Sequence, residues 1–283
     1  MNKKYVDYFT IGGEDIYCND SELNANFDTF KNETNTNFKN VLLFEEKTNK
    51  NFNEVNEKLL DYVNINEFLN NNTFYEAFSL ALESLKPHGT LFIPYTGETY
   101  SLNDTITIDK PCKILSSYEN YDIEESTNSV SVGEYSRPLI TSTAKTVFSI
   151  KSIGVHFENI CVKSTNNLDG SVIIDFSLTN TQSTTNVIRN IIFENCYFIG
   201  NGTKNGIRCT NTDIIVSRFS HVWIYNCDVG FNIGSESKNS TSLLFSNCWA
   251  LNCNTSGYRL TNCNYSTFIS CACDNSTYQN HGY

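Results

Sequence analysis

The sequence predicts an all-β solenoid, a right-handed parallel β-helix over residues 67–283, and three observations carry that expectation. An aromatic or apolar residue followed by Asn-Cys recurs at Phe193-Glu-Asn195-Cys196, Tyr225-Asn226-Cys227 and Phe245-Ser-Asn247-Cys248, with degenerate copies at Phe157-Glu-Asn159-Ile-Cys161 and Phe268-Ile-Ser270-Cys271. These cysteines stand 35, 31, 21 and 23 residues apart. A second marker, Gly followed by an apolar residue, recurs at Gly206, Gly230, Gly257 and Gly282, with steps of 24, 27 and 25. Thirdly, the composition suits turn-rich β-structure, with 40% hydrophobic and 13% aromatic residues but a single Met. A repeat of this length in strand-rich sequence is one coil, and stacking coils bury what one coil leaves exposed. Recurrent Asn then forms ladders at turns while Cys, Phe and Ile fill a narrow interior. Leucine-rich repeats would need an LxxLxL framework that is absent, and a propeller would need longer, more regular blades.

Two elements precede the solenoid. Residues 5–22 alternate apolar and polar positions around Gly12-Gly13, the pattern of a short β-hairpin. From Leu23 the spacing becomes helical, through Phe27, Phe30, Thr34, Val41, Phe44, Thr48, Phe52, Val55, Leu59 and Tyr62. Flanking Asn, Lys and Glu leave nothing else to bury that stripe, so residues 23–66 read as an α-helical coiled-coil stalk that self-associates. A single helix packed on a neighbouring domain is the alternative. Thr73-Phe-Tyr-Glu76 is a capping box that opens a helix through Phe78, Ala81, Leu82 and Leu85, ended by Pro87 and Gly89. Strand-like runs follow from Gly89 to Leu102 and from Asp104 to Ser117. The final marker, Gly282-Tyr283, falls where a coil should begin, so the reading expects a fragment or a partner over the end of the solenoid.

Charge narrows the function classes. A net charge of −11 disfavours nucleic acid and anionic membrane as partners, since both demand a concentrated basic surface. No apolar run is long enough for membrane insertion, and the Lys pair near Met1 has no apolar segment behind it, so a signal peptide is not expected. Eight of the 11 cysteines lie between Cys196 and Cys273. Their spacing, CxC at Cys271–Cys273 and five residues from Cys248 to Cys253, is not that of zinc ligands, and they read as small buried hydrophobes. No metal or other cofactor is expected. His88, His156, His221 and His281 are dispersed; Arg218-Phe-Ser-His221 is the one histidine setting that resembles a catalytic one, beside a structural reading.

The block from Thr73 to Ser117, a capped helix running into GTLFIPYTGETYSLNDTITIDKPCKILSS, resembles the opening of the pectate-lyase-like β-helix family. It departs from that pattern in inserting Thr96 after Tyr95 and in having Ser116-Ser117 where Gly is common. The N-terminal YVDYFTIGGEDIYCNDSEL is similar to virion-attachment segments of tail fibres and baseplate proteins of phages that infect low-GC Gram-positive hosts. Together these resemblances imply a phage tailspike or tail fibre: residues 1–22 attached to tail or baseplate proteins, a homotrimer, folding in the host cytoplasm, localisation in the virion tail, and recognition or depolymerisation of a host surface polysaccharide or teichoic acid. Such coils also serve as inert spacers, so the fold alone does not supply the activity.

Glycan cleavage on a solenoid needs two carboxylates about 5–10 Å apart on the outer surface, a spacing that equivalent positions on neighbouring coils provide. Glu158 and Glu194 each precede a marker Asn and should stack facing outward. Asp228, after Cys227, is assigned to the column that holds Tyr197 and Trp249, whose rings would support a sugar. Catalytic candidates are therefore Glu158, Glu194 and Asp228, and glycan-binding candidates Tyr197 and Trp249, against a reading in which the glutamates solvate a surface and the aromatics are trimer contacts or scattered exposed residues. Pectate-type lyase chemistry would add Ca²⁺, for which no acidic cluster has the spacing. Two other functions compete with the tail appendage: a purely structural tail adaptor, and a secreted polysaccharide lyase, which the missing signal peptide and the stalk disfavour.

Overall fold

A computed structural model of the 283-residue chain describes residues 60–117 except 98, 139–177 and 187–274, together with the strand pairs at Phe9–Ile11 and Glu14–Ile16 and at Glu124–Ser126 and Ser129–Ser131, and helical positions between 25 and 47. The chain divides into two compact units, Met1–Lys58 and Leu59–Tyr283.

In the first unit, Phe9–Ile11 pairs antiparallel with Glu14–Ile16, and Ile11 stands opposite Glu14. That register is the predicted hairpin; Gly12 and Gly13 lie outside the described residues. Residues 32–44 form a continuous helix, and Phe30, Phe38, Val41, Leu42, Leu43 and Phe44 are all exposed. Phe27, Thr48, Phe52, Val55 and Leu59 of the stripe lie outside the described residues. Between 60 and 66 the helical expectation fails: Leu60–Asn64 is a strand, Ile65–Glu67 a single 3₁₀ turn, and Val63 and Ile65 are fully buried in the solenoid core. Tyr62 stacks on Phe92 of the next coil, 5.9 Å between centroids. The solenoid thus starts at Leu60 rather than at 67, because parallel pairing with Thr90–Phe92 buries these side chains as a strand.

The second unit is a parallel β-solenoid of about 7 turns. Helix Phe74–Ser84 opens at Thr73, whose hydroxyl accepts from the Glu76 N–H while Glu76 accepts from the Thr73 N–H at 2.8 Å. Phe74, Ala77, Phe78, Ala81 and Leu82 of this helix enter the core. Each complete coil then contributes strands to three faces. The first stacks Leu91, Ile114, Phe157, Phe193, Phe219, Phe245 and Phe268 in register. Successive rings from Phe157 lie 5.0, 5.6, 4.8 and 4.6 Å apart and within 8° of parallel. The second face turns Val162, Phe198, Ile224 and Ala250 inward. The third brings Ile174, Ile207, Phe231 and Tyr258 inward, and Phe231 meets Phe245 edge-on, 5.6 Å away at 89°.

Corners carry the Asn marker. Asn159, Asn195, His221, Asn247 and Ser270 all adopt left-handed backbone with φ between 51° and 58° at the end of the first face. Asn tolerates that conformation because its short amide bonds locally. Asn226 and Asn252 hold the equivalent conformation at the end of the second face. The Asn-Cys marker therefore mixes two corners. Tyr225-Asn226-Cys227 belongs to the second, and its place in the first is taken by His221-Val222. The true steps along the phenylalanine column, Phe193 to Phe219 to Phe245 to Phe268, are 26, 26 and 23 residues.

The glycine marker is a true column. A Cβ on Gly206 would stand 2.8 Å from the Gly230 carbonyl oxygen, and one on Gly230 2.5 Å from that of Gly257, so the third face closes only over glycine. Gly282 lies outside the described residues. Cys196, Cys209, Cys227, Cys248 and Cys253 are completely buried and unbridged, and burial pushes the Cys209 and Cys227 thiols up, as expected of interior hydrophobes.

Candidate functional site

Because alternate residues of a strand point to opposite sides, the inward Phe157 and Phe193 force their neighbours outward. On the first face this makes two outer columns: Lys113, His156, Ile192 and Arg218 in one, Leu115, Glu158, Glu194 and Ser220 in the other. Glu158 and Glu194 are direct neighbours on consecutive coils, as the spacing predicts.

Three cationic or basic groups converge on them. Lys113 Nζ lies 2.5 Å from Glu158 Oε2, and Arg218 Nη2 lies 3.4 Å from Glu194 Oε2. His156 Nε2 sits between, 3.6 Å from Glu158 Oε2 and 3.9 Å from Glu194 Oε2, buried and without a hydrogen bond among the described residues. Burial holds the His156 imidazole below its ordinary value, the Lys113 charge adds to this, and the two glutamates oppose it; the ring is neutral at pH 7. An imidazole nitrogen thus faces two carboxylates. Donor atoms of His156, Glu158 and Glu194 all lie within 4.8 Å of one another, a spacing compatible with a divalent cation. Lys113 and Arg218 already supply positive charge to both carboxylates, so the set is balanced without one.

One oxygen of Glu158 and one of Glu194 lie within 4.8 Å of each other, compatible with the roughly 5 Å between carboxylates in retaining glycosidases. Sequence reasoning found the glutamates and missed the groups that set their charge. The signal was available: His156 lies two residues before Glu158, and Arg218 two before Ser220, so strand alternation puts each pair on one side. Arg218 joins the site, whereas His221 departs to the left-handed corner and is exposed.

Beyond the corner that follows Glu194, the second face bears an aromatic column. Tyr197, Trp223 and Trp249 stand in register: Tyr197 is tilted 49° to Trp223 at 5.4 Å between centroids, and Trp223 stacks on Trp249 at 5.3 Å. Trp223, between the two candidates, had gone unrecognised because it lies outside the Asn-Cys marker. Tyr197 is only 3% exposed, in an apolar cluster with Cys161, Ile199, Tyr225 and Leu251 on the outer side of this face. Burial leaves it little ring surface for a ligand, and Trp249, 37% exposed, offers the open ring. Its neighbour on the next coil is Ala272, too small to cover it.

Asp228 does not belong to that column. It follows the second corner, where Asp228 Oδ2 accepts from Lys204 Nζ at 2.7 Å and Oδ1 from Asn254 Nδ2 at 2.9 Å. Burial pushes the Asp228 carboxyl up, but these hydrogen bonds and the Lys204 charge outweigh it and hold the group below the usual carboxylate range. The misplacement follows from the mixed marker: Cys227 and Cys196 stand on different corners.

No family model matches the chain, and neither does any curated protein or solved structure. The site is therefore read from its own geometry.

Proposed function

We propose that this chain is a phage tail appendage, a tailspike or tail fibre, whose solenoid recognises a host surface polysaccharide along the edge between its first and second faces. The observation that carries the reading is the juxtaposition of Glu158 and Glu194 on consecutive coils, with the Trp223–Trp249 stack across the corner on the next two coils. Coils repeat at about 4.8 Å, so a linear polymer lying along the solenoid axis meets a new set of outward side chains at each step. Aromatic rings supply apolar stacking for sugar faces, and carboxylates supply hydrogen-bond acceptors for hydroxyls. Hydrolysis would use one glutamate as acid and the other as nucleophile. The exposed apolar positions of helix 32–44 support a self-associating stalk; a homotrimer with its N-terminus on the virion is what the resemblance to tail fibres implies.

The ion pairs to Lys113 and Arg218 favour a second reading, binding or spacing without cleavage, because a carboxylate already paired with a cation is a weak acid catalyst. Incubation of the purified chain with host cell-wall polymer separates the two. Binding with release of reducing ends, abolished in both Glu158→Gln and Glu194→Gln, supports depolymerisation; binding lost in Trp249→Ala without any release supports recognition alone. Absence of binding and release leaves only the adaptor.

A further inference from the structure

Among the described residues, two pairs of cysteines occupy equivalent positions on consecutive coils. Cys227 and Cys253 follow the second-face corners at Asn226 and Asn252, and both are completely buried. Cys248 and Cys271 follow the first-face corners at Asn247 and Ser270. Their register is fixed on both sides, Ser246 opposite Ile269 and Trp249 opposite Ala272, and the Ala272 N–H donates to the Cys248 carbonyl oxygen at 3.0 Å. Neighbouring strands lie about 4.8 Å apart, inside the Cα separation that a disulfide spans without backbone movement. Cys248 is buried, whereas Cys271 is partly exposed. Tyr258 Oη donates to the Cys248 carbonyl oxygen at 2.7 Å and holds the same corner.

We propose that Cys248 and Cys271 form a coil-to-coil disulfide when the folded protein meets a small-molecule disulfide, a covalent staple between successive coils. Accessibility and register single out this pair. An oxidant reaches Cys271 but not the Cys227–Cys253 pair, and the register puts the resolving Cys248 directly opposite on the preceding coil. Interaction with the neighbouring Cys248 thiol holds the Cys271 thiol below its ordinary value, which makes it the attacking member. The Cys271 thiolate displaces one thiolate from oxidised glutathione and leaves a mixed disulfide. Cys248 then yields its proton to the released thiolate, and its sulfur displaces the second glutathione from Cys271. Two cysteines lose two electrons in all, and one oxidant disulfide becomes two thiols. This chemistry is independent of any glycan.

Mass spectrometry of the folded full chain after exposure to oxidised glutathione tests it. The expected result is a mass lower by about 2 Da, one linked peptide pair containing Cys248 and Cys271, and alkylation retained at Cys227 and Cys253 after unfolding. Cys248→Ser should instead stop at a stable glutathione adduct on Cys271, and Cys271→Ser, a change at a partly exposed position, should abolish both products. A persistent adduct on Cys271 in the unmodified chain, a link to any other cysteine, or full alkylation of both thiols overturns the proposal.

Discussion

His156 Nε2 stands 3.6 Å from Glu158 Oε2 on the same strand, sharing its carboxylate with a lysine from the coil before. Burial, with the Lys113 charge, keeps the imidazole neutral below its ordinary value of 6.5. The native state thus binds this proton less readily than the unfolded chain. Stability from this group is complete above pH 6.5 and is lost as pH falls through the window beneath it. Chemical denaturation at pH 8 and pH 5.5 should reveal that loss, and His156→Gln should flatten the difference. An unchanged pH dependence in His156→Gln would remove His156 as its source.

Lys113 and Glu158 are each less than a third exposed, so the pair is partly shielded from water. Glu158→Gln leaves the ammonium without its partner and should lower stability by about 1 kcal/mol, while Lys113→Met with Glu158→Gln should recover part of it. A double-mutant cycle by urea denaturation measures the coupling; additive effects would mean that the contact is energetically silent.

Phe219 lies in the middle of the ring column, 5.6 Å from Phe193 and 4.8 Å from Phe245. Phe219→Ala opens a cavity inside a fully buried column and should cost about 3–5 kcal/mol. Because each coil contacts only its neighbours, the loss should appear as faster hydrogen exchange in the coils around Phe219 before it appears near helix Phe74–Ser84.

Val216 has φ 49° and is 58% exposed, a β-branched residue in the left-handed region with little packing to lose. The equivalent corner before the first face is held by Asn190, Ser242 and Tyr265 at similar angles. Val216→Asn should therefore stabilise the protein by about 1 kcal/mol, read as a higher denaturation midpoint. A neutral or negative change would mean that the valine side chain contributes contacts that offset its backbone strain.

Much of the fold was legible because a solenoid repeats its physics. Each coil needs a residue that accepts left-handed backbone at its corner, an interior ring and a glycine where faces close, and Asn195, Phe193 and Gly206 announce those needs in one dimension. The capping box at Thr73 and Glu76 is equally local. Legibility ended where two corners use the same residues: Asn226-Cys227 looks like Asn195-Cys196, and nothing short of pairing distinguishes them. Asp228 was carried to the wrong face by that identity. The strand at Leu60–Asn64 was hidden for a related reason, since Leu59 and Tyr62 also continue a helical stripe, and only pairing with Thr90–Phe92 decides between them.

By itself the sequence determined that the chain coils, where its capping helix begins, and that Glu158 and Glu194 share a face. These follow from periodicity, capping chemistry and strand alternation, all short-range. Tertiary structure alone decided which residues stand one coil above another: Lys113 beneath the His156–Glu158 strand, Trp223 between Tyr197 and Trp249, Cys271 against Cys248. Such neighbours are separated by 23 to 43 residues of variable turn. Their register is set by how many residues each turn absorbs, a quantity fixed by packing the interior and not written in any local pattern.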